Sequence, residues 1–156
     1  EEPSRPRVLS ALSMKLSQAL VLGRTKAGSL AEVKNLNLWG QDITDVSILG
    51  RMPGVEVLSL SVNRIPTLRD FQGCLQLQEL YLRKNEVGTL AEIVHLKRLA
   101  NLRILWLCDN PCAEDPRYRA TVVSALPHLK KLDNLEITPE ERGAAAGEAL
   151  SLPQLE

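Results

Sequence analysis

Apolar and polar residues alternate in four short windows of the chain: LNLWGQDI from Leu36, LSLSVNRI from Leu58, LYLRKNEV from Leu80 and LWLCDNPC from Leu105. The windows start 22, 22 and 25 residues apart. Alternation of period two marks a short strand with one buried face. Past each strand, Val46, Leu68 and Leu90 supply the next inward contact, and the chain returns through short helical turns such as Leu90–Leu99. The third return carries three extra residues, nearly one more helical turn. Units of this size cannot bury an apolar face alone, so they must stack side by side into a quasi-one-dimensional array.

Each window fills the pattern L-x-x-L-x-L-x-x-N-x-I, the signature of a leucine-rich repeat. The asparagine column is Gln41, Asn63, Asn85 and Asn110, and a partial fifth unit follows at Leu129, Leu132 and Asn134. A side-chain amide both donates and accepts, so it can satisfy backbone groups where the chain leaves the strand. Gln41, one methylene longer, is expected to do so less well. The fold class is α/β: a leucine-rich-repeat solenoid with short parallel strands on the concave face, helical turns on the convex face and helical caps at both ends.

The ends follow from the same logic, because an open stack exposes a row of leucines. Residues 1–7 are expected to be disordered, and 8–32 to form an N-terminal helical cap. That cap reads as an amphipathic helix over Val8–Leu22, broken near Gly23, with a second turn at Ser29–Glu32. Repeats 1–4 occupy 33–110. Residues 111–137 hold the partial repeat and a cap whose helix runs through Tyr118, Val122, Val123 and Leu126 to a stop at Pro127. Residues 138–156 form a C-terminal helix and tail. Thr138-Pro139-Glu140-Glu141 is a capping box with proline at the first helical position. The tail from Ser151 onward is expected to fray.

Alternation also names the concave surface: Asn35, Asn37 and Trp39, then Val57, Ser59 and Ser61, then Glu79, Tyr81 and Arg83, then Ile104, Trp106 and Cys108, with Lys131 and Asp133 from the partial repeat. Only five of the 156 residues are aromatic, and three of them, Trp39, Tyr81 and Trp106, fall on these positions. Val57 and Ile104 extend them into an apolar stripe. Exposed apolar patches mark interaction sites, and Trp, Tyr and Arg are over-represented among binding hot spots. The candidate protein-binding residues are therefore Asn37, Trp39, Val57, Ser59, Glu79, Tyr81, Arg83, Ile104, Trp106, Lys131 and Asp133. The competing account is that the rings pack on one another or on the caps, with Trp39 lying under the N-terminal helix. For Glu79, Arg83, Lys131 and Asp133 it is simple cross-strand pairing, worth about 0.2–1 kcal/mol each.

Chemistry adds little to this picture. Formal net charge is zero, with 19 basic and 19 acidic residues, which argues against direct nucleic-acid binding. No apolar run reaches 18 residues, so no membrane insertion is expected, and no small-residue cleavage site follows the apolar stretch near Leu20. Three cysteines give no disulfide framework and fit a reducing compartment. Cys108 and Cys112 point to opposite sides of the chain, so no metal site is expected. Neither His95 nor His128 has a sequence-evident carboxylate and nucleophile together with it, and the glycines are scattered. Neither catalysis nor a cofactor is expected. His95, Lys97, Arg98 and Arg103 read as a solvated basic face.

The stretches MKLSQALVLGRTKA (14–27), LNLWG (36–40), LSLSVN (58–63), LYLRKNEVGTLAEI (80–93) and LWLCDNPC…YRATVVSALPHLKKLDN (105–134) resemble a cilia- and flagella-associated leucine-rich-repeat family. That family sits in a wider class with the phosphatase-1 regulatory subunit, the spliceosomal A-prime protein and an axonemal dynein light chain. The resemblance implies a non-enzymatic scaffold of the cytoplasm and cytoskeleton, at the basal body of the cilium or flagellum, needed for cilium assembly. It implies a NIMA-related kinase as partner, and oligomerisation only through a C-terminal segment absent from this chain. The wider class keeps two alternatives open: a ribonucleoprotein assembly subunit like the spliceosomal relative, or a phosphatase regulatory subunit.

Overall fold

The computed structural model describes residues 14–153. One six-stranded sheet runs in chain order from β1 to β6: β1 (Asn35–Asn37), β2 (Val57–Ser59), β3 (Glu79–Tyr81), β4 (Ile104–Trp106), β5 (Lys131–Leu132) and β6 (Leu135–Glu136). The first five strands are parallel, and β6 turns back antiparallel on β5. Sequential parallel order, one strand per repeat, is the solenoid that the leucine spacing predicts. Register is strict: Leu36, Leu58, Leu80, Leu105 and Leu132 are aligned Cα to Cα. All five side chains are buried in one core that runs the length of the stack.

The returns are 3-10 turns rather than α-helices, at Leu30–Glu32, Ser47–Arg51, Arg69–Phe71 and Leu90–Leu96. The last is seven residues long against three to five elsewhere, as the longer third repeat predicts. Each return buries one or more side chains, Phe71 among them.

Asparagine amides tie neighbouring repeats together. Asn85 Nδ2 donates to Leu82 O in its own strand segment (3.1 Å) and to Leu60 O one repeat earlier (3.0 Å), while its Oδ1 accepts from Ile65 N–H (3.0 Å). Asn63 and Asn110 repeat the arrangement on Leu38/Leu60 and Leu82/Leu107. Interior carbonyls such as Leu60 and Leu82 thus accept from two asparagines each. Gln41 stands outside this ladder. Its Nε2 donates to Trp39 O at 3.2 Å on the surface, and its backbone N–H is held by Asn63 Oδ1.

The N-terminal cap differs from the expected single helix over Val8–Leu22. Residues 8–13 lie outside the described residues, and Met14–Ser17 run extended beside the first repeat. Lys15 bridges Asp45, Leu16 N–H donates to Asp45 O at 2.8 Å, and Met14 O accepts from Thr44 and Asp45. Ser17 Oγ then caps a short helix, α1 (Gln18–Gly23), by accepting from Leu20 N–H. Backbone donors on the exposed end of the first repeat need partners, and an extended segment supplies them where a helix could not. The expected disorder of residues 1–7 also concerns residues outside those described.

At the other end, α2 (Tyr118–Ala125) packs against α3 (Pro139–Glu148). Thr138 Oγ1 accepts from Glu141 N–H at 3.1 Å, so half of the capping box forms. The Glu141 carboxylate instead takes the Arg119 guanidinium, which holds its pKa below the usual carboxylate range. Arg142 donates to the carbonyl of Val123, in the last turn of α2, and to that of Leu129 in the loop beyond it. Past α3 the chain folds back through residues 149–153, and the rest of the tail expected to fray, 154–156, lies outside the described residues. Leu150 N–H donates to Thr121 Oγ1 at 2.8 Å, and Leu152 packs half-buried against the core.

Candidate protein-binding face

Residues one place from the core leucines face the hollow side of the sheet. Because the leucines are in register, so are these: Asn37, Ser59, Tyr81 and Trp106 form one row and Asn35, Val57, Glu79, Ile104 and Lys131 the next. The two rows hold eight of the eleven candidate residues, and Trp39 and Arg83 line the same face beside Ser59, Tyr81 and Trp106. The eleventh, Asp133, does not join them.

Tyr81 and Trp106 sit on adjacent strands with ring centroids 5.9 Å apart at 60°, an edge-to-face pair. The expected packing of rings on one another thus holds for these two, yet both remain half-exposed. Trp39 is 61% exposed and does not lie under the N-terminal cap. Between them the chain places Ser59 and Ser61, the smallest side chains of the face. The result is a hollow of about 350 Å3, floored by serines and walled by Trp39 on one side and Tyr81, Trp106 and Arg83 on the other.

Polar groups fix the rings rather than compete for them. The Tyr81 hydroxyl donates to Glu79 Oε1 at 2.6 Å, and the other Glu79 oxygen accepts from Arg103 at 3.3 Å. Burial, then the Glu79 carboxylate, pushes the Tyr81 pKa up to about 12. Arg83 Nε donates to Asp109 at 3.0 Å, across the turn that ends β4. Lys131 makes no ion pair among the described residues. Cys108, the last hollow residue of the fourth repeat, is raised to about 11 by burial and the nearby Asp133 and Asp109 carboxylates, so its thiol stays protonated at neutral pH.

Asp133 is a correction to the candidate set. Its φ is +53° at the hairpin into β6, and its Oδ1 accepts from Leu107 N–H (2.7 Å) and Cys108 N–H (3.0 Å). Its Oδ2 accepts from the buried Tyr118 hydroxyl at 2.7 Å. In the inner repeats a backbone carbonyl of the next strand accepts at this place, as Trp106 O does from Leu82 N–H; where β5 ends at Leu132, the Asp133 carboxylate stands in for it. Sequence reasoning also missed Asp109 and misplaced Arg103, which is aimed at Glu79 and not at the outer basic face. The signal for Arg103 was its position directly before Ile104, at the mouth of the strand.

Among the described residues no group of three or more His, Cys, Asp or Glu could hold a metal ion, and no helix is long and apolar enough to cross a membrane. The chain matches the leucine-rich-repeat family over residues 7–151. It is 50% identical over 137 residues to cilia- and flagella-associated protein 410 of Homo sapiens, covering 86% of this chain and 54% of that protein. The Mus musculus protein of that name is 50% identical over 130 residues, covering 82% and 52%. The chain thus spans about half the length of these relatives. Leucine-rich repeat-containing protein 23 of Homo sapiens is 38% identical over 106 residues, covering 64% and 31%. Among solved structures, a chain of the Drosophila melanogaster SNF/U2A' complex superposes with a TM-score of 0.67 at 21% identity, covering 86% of this chain and 92% of that one. At that identity the likeness is one of fold alone. The chain belongs to the leucine-rich-repeat family, and cilia- and flagella-associated proteins are among its half-identical relatives.

Proposed function

We propose that this chain is a non-enzymatic interaction scaffold of the ciliary or flagellar base, supporting cilium assembly by holding a protein partner against its hollow face. One observation carries the reading: three of the five aromatic residues surround a serine-floored hollow on the exposed side of the sheet, with Trp39 61% exposed. Rings left in water at a concave surface are what a partner's side chains would cover. The names of the half-identical relatives supply the ciliary setting. A NIMA-related kinase is the first partner to test.

Tyr81→Ala combined with Trp106→Ala tests the site. Their edge-to-face contact is worth about 0.5–1.5 kcal/mol, so the double variant remains folded by circular dichroism. Loss of two hot-spot rings weakens the partner complex by at least about 2 kcal/mol, about thirtyfold in Kd. Unchanged affinity in a folded double variant would remove the hollow face from the reading. Tagged protein concentrated in the nucleus of ciliated cells, and absent from the basal body, would favour the ribonucleoprotein alternative instead.

A further inference from the structure

The hollow has a charge as well as a shape. Seven side chains line it: two tryptophans, one tyrosine, two serines, Asn37 and Arg83. Six are neutral and one is a cation; no carboxylate lines it. The nearest acidic groups are already engaged at its rim, Glu79 by Tyr81 and Arg103, and Asp109 by Arg83 Nε. A guanidinium carries five N–H donors, and only the Nε–H of Arg83 makes a hydrogen bond among the described residues. Its terminal nitrogens are left to whatever enters. Beside them stand the faces of Tyr81 and Trp106, which demand an apolar body.

Resting on the concave-face reading above, we infer that the hollow selects a peptide segment carrying a bulky apolar side chain next to a carboxylate. The apolar group fills the space over Ser59 and Ser61, between Trp39 and the Tyr81–Trp106 pair. The carboxylate meets the terminal nitrogens of Arg83. A basic neighbour in the same place would face the guanidinium and be rejected, so the arginine sets specificity while the rings set affinity. Arg83 remains tethered by Asp109, which orients the fork before the ligand arrives.

A random peptide library displayed on phage, selected on the purified chain, reads this directly. The expected winners pair Trp, Phe, Leu or Met with an adjacent Asp or Glu and lose binding to Tyr81→Ala/Trp106→Ala. For a synthetic copy of one winner, replacing its Asp or Glu by Asn or Gln weakens binding about tenfold, the scale of one charge-assisted hydrogen bond. On Arg83→Gln that difference between the acidic and amide peptides disappears. Winners that need the two rings but bind equally well as amides, or that are basic, overturn the acidic preference and leave the concave-face reading standing. Winners indifferent to the two rings, or none at all, overturn both.

Discussion

Leu58, Leu80 and Leu105 are aligned across three strands, and Ser59, Tyr81 and Trp106 are aligned in the same register one residue later. The first row is one residue type, wholly buried; the second is a hydroxyl, a phenol and an indole, none of them buried. The same backbone therefore carries two surfaces under opposite demands. Stacking requires each repeat to present the same shape to the next, so the core row and the asparagine ladder repeat. Nothing in the stack constrains the hollow row, and its residues differ from strand to strand. What repeats builds the arc; what varies along it is free to recognise.

Breaking a ladder position should therefore cost far more than altering its degenerate end. Asn85→Leu keeps the volume but orphans the buried Ile65 N–H and removes one of two donors from each of Leu60 O and Leu82 O. An orphaned buried donor costs about 1–3 kcal/mol and each lost hydrogen bond about 1, so a loss of about 3 kcal/mol is expected in urea denaturation. Gln41→Leu, outside the ladder, should shift stability by no more than about 0.5 kcal/mol. Comparable losses for the two would show that the amides are not what joins the repeats.

That contrast also marks how far the sequence could be read. Repeating positions were legible because each recurs: the leucines in four repeats, the asparagines in three and, by simple alternation, the faces of Trp39, Tyr81 and Trp106. Features that occur once were not. Asp133 occupies the strand position equivalent to Trp106, and only the left-handed turn through Asp133 and Asn134 swings its carboxylate onto Leu107 and Cys108. Met14–Ser17 has helical periodicity, yet the unpaired donors of Thr44 and Asp45 draw it into an extended bridge. Glu141 has the spacing of a capping box, but Arg119, 22 residues away in sequence, competes for its carboxylate. Local patterns cannot show such competitors.

The two half-polar tyrosines place the comparison on a pH axis. Tyr118 is buried and donates to Asp133; burial first, then that carboxylate, raises its pKa far above the ordinary value. Tyr81 on the hollow face is raised less, to about 12. An unfolded tyrosine ionises near pH 10. Both groups are therefore protonated in either state below pH ~10, and their contribution to stability is intact there. Above it the unfolded chain releases protons that the folded chain retains, and stability falls by up to about 1.4 kcal/mol per pH unit for each tyrosine. Urea midpoints measured from pH 9 to 11.5 should show this decline. Tyr118→Phe should remove its own share of the decline, up to about 1.4 kcal/mol per pH unit above pH ~10, leaving the share of Tyr81 and of the raised Cys108 thiol. Tyr81→Phe should remove a like share only between about pH 10 and 12. A parent slope retained in Tyr118→Phe would mean that its proton is not what the Asp133 contact holds.

Val62 lies on the border between the two rows, after Ser61 of the hollow and before Asn63 of the ladder. Its φ is +59°, and the equivalent positions hold Gly40 (+67°), Lys84 (+59°) and Asp109 (+60°). This turn aims each asparagine back at its strand, so the left-handed backbone is imposed by the ladder. A β-branched side chain is the worst fitted to it, at a cost of about 1–2 kcal/mol relative to a residue that tolerates the region. Val62→Asn keeps the backbone entropy of a non-glycine residue and relieves that strain. Some apolar contact is lost from a half-buried side chain, leaving an expected gain of about 0.5–1 kcal/mol in urea denaturation, with peptide binding at the hollow unchanged. A loss of stability would assign Val62 to the packing side of the border, where its side chain matters more than its backbone. A change in binding with stability held would assign it to the hollow.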